Sequence, residues 1–107
     1  MPLNIQSGIQ RPKIDMHCHV WLMDGWEESA DHLVASGDML GITEYWCSSI
    51  ISNGVLAPIE EVRPHNDTTL NAMKRHPKRI RGWCFVIAGH FQDALDEVER
   101  CLNAGMI

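Results

Sequence analysis

This chain has no apolar run approaching the roughly 18 residues of a membrane span, and that excludes a spanning helix. Its opening, Met1-Pro2-Leu3-Asn4-Ile5-Gln6, lacks the basic start and apolar block of a signal peptide, so a cytoplasmic location is the default. There is no basic surplus: a net charge of −5 argues against a nucleic-acid binder. The one basic run, Lys74-Arg75-His76-Pro77-Lys78-Arg79-Ile80-Arg81, reads as a solvated turn between a helix and a strand. No CxxC pair exists among Cys18, Cys47, Cys84 and Cys101, which removes a zinc ribbon and a thioredoxin-like motif. Reduced thiols are expected, with Cys47 and Cys84 acting as small buried hydrophobes. Repeats and low-complexity blocks are also missing. What remains is an ordinary globular composition, 45% apolar and 21% charged over 107 residues, enough for one domain.

The most informative stretch is Lys13-Ile14-Asp15-Met16-His17-Cys18-His19. In a regular strand every second side chain shares a face. Asp15, His17 and His19 would then point one way, and Ile14, Met16 and Cys18 the other. Two imidazoles about 6.7 Å apart along a strand can converge on one divalent metal at its end. Asp15 is placed either to orient an imidazole from behind or to make a buried structural polar contact, and Trp21 either to wall a substrate pocket or to anchor the loop on the first helix.

A strand followed by a helix recurs three times along the chain. Strands are expected at Lys13 to His19, Thr43 to Ile51 and Ile80 to Ala88, the last nearly all apolar. Helices are expected from Trp26 to Leu40, from Pro64 to His76 after a connection over Ser52 to Arg63, and from Phe91 to Ala104. The last helix shows an apolar stripe of Phe91, Ala94, Leu95, Val98 and Leu102, and an Asp96/Arg100 pair at i,i+4. Met106-Ile107 reads as the opening of a fourth strand. Such alternation implies parallel strands joined by right-handed crossovers, with the functional face at the strands' C-terminal ends. His65 and His90 fall near that face, although a solvated loop histidine is the commoner reading of each.

Ile14-Asp15-Met16-His17-Cys18-His19 resembles the first-strand signature of the amidohydrolase superfamily. Asn66-Asp67, followed by His76-Pro77-Lys78-Arg79 and the strand into Gly82-Trp83, resembles its amidohydrolase-related branch, and Glu97-x-x-Arg100 running to Ala104-Gly105 fits as well. The resemblance implies a (β/α)₈ barrel with a divalent metal, usually zinc, at its mouth. It implies hydrolysis of amide, ester or lactone bonds, or hydration or decarboxylation of small carboxylic acids. His17 and His19 would be metal ligands. The family's remaining ligands, histidines after strands five and six and an aspartate after strand eight, have no counterpart strands here.

A closed barrel of this type needs about 250 residues. The expected fold class is therefore α/β, an incomplete (β/α)₈ barrel of about three βα units. Residues 1–12 form a lead-in and residues 13–107 the partial barrel. The expected function is the N-terminal part of a metal-dependent enzyme acting on a small-molecule substrate, with no nucleic-acid or membrane partner. Parallel sheets are normally covered on both faces, so oligomerisation or a complementing chain is expected if these residues are the whole protein. Two alternatives stand beside it: a non-catalytic, truncated or assembly-dependent chain, and a metal-dependent phosphoesterase or nuclease, which would want further acidic ligands.

Overall fold

The computed structural model describes residues 11–21, 25–49, 51 and 54–107. Strand β1 (Lys13–His19), helix α1 (Trp26–Leu40), strand β2 (Ile42–Ser48), helix α2 (Ile59–Arg75), strand β3 (Ile80–Gly82) and helix α3 (Gln92–Asn103) follow in that order. Short 3-10 turns at Gly54–Leu56 and Ala88–His90 precede α2 and α3. The strands form one parallel sheet in the order β1-β2-β3. This is the expected α/β alternation, present as an open three-stranded sheet.

Helices α1 and α2 pack against one face of that sheet, and α3 packs beside α2. The main core lies between sheet and helices: Cys18, Tyr45, Cys47 and Ile80 from the strands and Val20 just after β1 meet Ala30, Val34 and Ala72 from the helices. Helix α1 comes within reach of the sheet because Gly37 has no side chain. A Cβ there would collide with the Tyr45 ring, whose hydroxyl end fills that space. Gly41 then ends α1 in the left-handed region at φ 72, where glycine carries no steric penalty.

Helix α2 departs from the sequence expectation. It starts at Ile59, and Pro64 lies inside it instead of opening it. Pro58, extended at φ −71 and ψ 163, is the N-cap, and Glu60 and Glu61 sit in the first turn where the helix dipole favours acid. Pro64 has no N–H to give the carbonyl of Glu60, but Glu60 is solvent-exposed, so water can take that place.

Strand β3 is also shorter than expected. Beyond Gly82 the Trp83 N–H still donates to the Cys47 carbonyl at 2.8 Å, and after it side chains take over from the ladder. Asn66 Oδ1 accepts from Phe85 N–H at 3.0 Å and its Nδ2 donates to the Phe85 carbonyl at 2.8 Å. The same Nδ2 donates to Glu97 Oε1 at 2.9 Å. Arg100 grips Glu97 with two bonds, of 2.9 and 2.8 Å, and Asp67 with a third of 2.7 Å. Arg100 thus pairs with Glu97 and Asp67, while Asp96 accepts from Gln92 at 2.7 Å; the expected Asp96/Arg100 pair is replaced.

Glu97 and Asn66 are fully buried, whereas Leu95 and Leu102 of the expected apolar stripe are exposed. A buried carboxylate survives there because each oxygen has a donor, the guanidinium first among them. At the end of the chain, Ile107 N–H donates to the Gly82 carbonyl at 2.8 Å, so the last two residues do approach the sheet at β3.

Arginines of the basic run are mostly paired. Asp31 takes two bonds of 2.7 Å from Arg75 and one of 2.7 Å from His76, and Arg79 pairs with Asp38 at 2.7 Å. Among the described residues no helix is long and apolar enough to cross a membrane.

Candidate functional site

The face of the sheet opposite the helices carries the residues of interest. Alternation along β2 buries Tyr45 and Cys47 toward the helices and turns Glu44, Trp46 and Ser48 the other way. Arg81 is the register partner of Trp46, and His19 that of Ser48, so both share the uncovered side. Arg81 approaches Glu44 at 3.6 Å, and the Glu44 carboxylate accepts from the Trp46 indole at 2.8 Å.

His17 and His19 stand together at the C-terminal end of β1. Their ring centroids are 5.1 Å apart and the planes cross at 82°. His17 is exposed and His19 half-buried. His19 Nδ1 lies 3.0 Å from the Ser48 carbonyl oxygen. A carbonyl can only accept, so Nδ1 carries the hydrogen in this contact and, in the neutral ring, Nε2 keeps the lone pair. That is the tautomer with which a metal-binding imidazole is usually presented, its other nitrogen bonded to a backbone carbonyl.

The strict alternation expected of β1 fails at two points: Lys13 is opposite Ile42 and Ile14 opposite Glu44, one step of β1 against two of β2, and a second shift of opposite sense follows Asp15. Asp15 is opposite Tyr45 and Cys18 opposite Cys47, three residues of β1 against two of β2. Ile14 and Met16 are exposed while Cys18 is buried against Cys47, so those three do not share a face as expected. Asp15 goes with Tyr45 and Cys18 on the helix side and is separated from the histidine pair. Its contact with that pair runs through the main chain, Oδ1 accepting from His17 N–H at 3.1 Å. Burial, reinforced by Asp15, pushes the Cys18 thiol up to about 12; burial does the same for Cys47. These thiols are inert packing groups.

Trp21 follows two residues after His19 and is 55% exposed. His65 is buried on α2, where the longer helix puts it, and burial lowers its pKa. The Nδ1 atoms of His65 and of half-buried His90 are enclosed without a hydrogen-bond partner. Among the described residues no group of three or more His, Cys, Asp or Glu side chains is arranged to hold a metal ion. The two imidazoles by themselves fall short of the three protein ligands of a catalytic zinc.

A groove of about 530 Å³ lies elsewhere, between Val86, Ala88, Phe91 and the Leu95 and Val98 side of α3.

Two residues of this face were not singled out by sequence reasoning. Trp83 and Trp46 pack edge to face at 5.2 Å and 70°, and Trp83 Nε1–H donates to the Met16 carbonyl at 3.2 Å. No local pattern signals this, because the contact joins β1 to the segment after β3 across the intervening strand.

No family model matches this chain, and no curated protein matches it in sequence. A crystal structure from Staphylococcus aureus, described as that of a "putative amidohydrolase", is similar to it with a TM-score of 0.76 at 20% identity. The match covers 90% of this chain and 35% of that one, so this chain spans about a third of the length of the structure it resembles. At that identity the likeness establishes the fold: an α/β arrangement like part of an amidohydrolase.

Proposed function

We propose that this chain supplies the first-strand half of a divalent-metal site, most simply zinc, in an amidohydrolase-like enzyme. The observation that carries the reading is the His17/His19 pair, with rings 5.1 Å apart and the His19 Nδ1–H held by Ser48. Bound there, the metal would lower the pKa of its water toward 7 and polarise an acyl group, the chemistry that hydrolysis of a small amide, ester or lactone requires. Decarboxylation of a small carboxylic acid at the same centre is the related possibility. The fold likeness supports this reading; in it His17 and His19 would supply two ligands, and further ligands and the general base would come from outside these residues.

The test is cobalt(II) titration of the 107-residue chain, followed by absorbance and by the histidine ring resonances. Joint perturbation of His17 and His19, lost in H17A and in H19A, is the expected result. Equal uptake by the double variant H17A/H19A would sink the assignment.

A further inference from the structure

Two register shifts set the faces of β1: one between Lys13 and Ile14 turns Asp15 to the helix side, and the three-against-two pairing that follows returns the histidines to the uncovered side. Had alternation continued unbroken from Asp15, which lies opposite Tyr45, His17 and His19 would point under the helices and Cys18 would face outward. One extra residue, at Met16 and His17, where two consecutive side chains are exposed, reverses that outcome.

A bulge interrupts the ladder, and its main-chain groups then need other partners. Two are local: Asp15 Oδ1 accepts from His17 N–H at 3.1 Å, and Cys18 Sγ–H donates to the Asp15 carbonyl at 3.6 Å. The third crosses the sheet, the Trp83 indole N–H reaching the Met16 carbonyl at 3.2 Å. Trp83 is anchored for this by its own N–H, which donates to the Cys47 carbonyl at 2.8 Å, and by its edge contact with Trp46.

We propose that Trp83 is a positioning residue for the histidine pair. Its indole N–H holds the Met16 carbonyl and thereby pins the bulge that turns His17 and His19 to the uncovered face. The claim concerns the geometry of the pair with or without an ion, and only the affinity measurement below rests on the metal-site reading.

The test is W83F in the 107-residue chain, which keeps a ring against Trp46 and removes the N–H. The expected result is a severalfold weaker ring-to-ring nuclear Overhauser effect between His17 and His19, with cobalt(II) affinity lower by about tenfold. W46F removes the other indole N–H of the same aromatic pair and should leave the ring contact at its wild-type strength. A wild-type ring contact in W83F, or an equal loss in W46F, would overturn the proposal. If W83F does not fold, hydrogen exchange of the indole N–H groups in the unmodified chain decides. Trp83 slower than exposed Trp21 by about tenfold or more supports the proposal, and equal rates overturn it. A wild-type chain that loses the ring contact in W83F yet takes up no ion would remove the metal reading and leave this one standing.

Discussion

The His19 ring is tied to β2 by its Nδ1–H, which donates over 3.0 Å to the carbonyl of Ser48, its partner in the strand register. The bond fixes both the ring's orientation and the nitrogen left for a ligand. Nitrogen-15 spectra of the histidine side chains at neutral pH should therefore show His19 as the Nδ1–H tautomer. A predominant Nε2–H form would mean that the Ser48 contact is not made.

Gly37→Ala should destabilise the protein, although alanine is the better helix former by about 1 kcal/mol. The Tyr45 ring occupies the space a Cβ would take, and both residues are buried. Overpacking of this kind costs about 1–3 kcal/mol, which outweighs propensity. Chemical denaturation of G37A beside the wild type checks the sign; equal or greater stability would show that Tyr45 moves aside freely.

Glu97→Ala should cost about 3 kcal/mol, the upper end for charge-assisted hydrogen bonds lost at a buried carboxylate whose arginine partner is itself solvent-exposed. It leaves Arg100 with Asp67 alone and takes an acceptor from Asn66. Asn66→Ala should cost about 1–3 kcal/mol, through the unpaired N–H and carbonyl of Phe85. The double variant should lose less than the sum of the two, because both changes empty one network.

Acid should act through the same residue. Burial alone would raise the Glu97 carboxyl, but the bonds from Arg100 and Asn66 outweigh it and hold the group below its ordinary 4.5. A depressed carboxylate contributes stability above its unfolded-state pKa and loses it as pH falls through the lower folded value. Stability of the wild type should thus decline below about pH 4.5, and that of E97Q should decline less steeply over the same interval. Parallel curves would show that other groups carry the acid sensitivity.

Alkylation at pH 8 should separate native from unfolded thiols. Burial pushes Cys18 and Cys47 up to about 12 and Cys101 higher still, so little thiolate forms and little reagent reaches it. Labelling followed by mass spectrometry should find these three unmodified until denaturant is added. Rapid modification of Cys18 in the native chain would contradict the packing of β1 against the helices.

Helix α1 was legible almost to the residue because its cues are local: apolar positions at helical spacing, and Gly41 where the chain must turn left-handed. Strand β1 was legible for the same reason. The start of α2 was not, since Pro64 carries the ordinary mark of a helix beginning. What moves that beginning to Ile59 is the hydrophobic group of Val62, Ile51, Ala57 and Ile87, which rewards an earlier first turn. The Asp96/Arg100 spacing misled in a similar way: Arg100 is drawn to Glu97 and Asp67, and Asp67 belongs to another helix.

Order of elements, the parallel sense of the strands, and two histidines one residue apart near a strand's end all follow from the order of the amino acids, because helix and strand periodicities are local properties. Which side of the sheet those histidines occupy does not follow. An alternating strand has two faces, and each of the two register shifts in β1 exchanges them. That choice rests on Tyr45 opposite Asp15, Cys47 opposite Cys18 and the indole of Trp83 on Met16, contacts between segments that only the folded chain brings together.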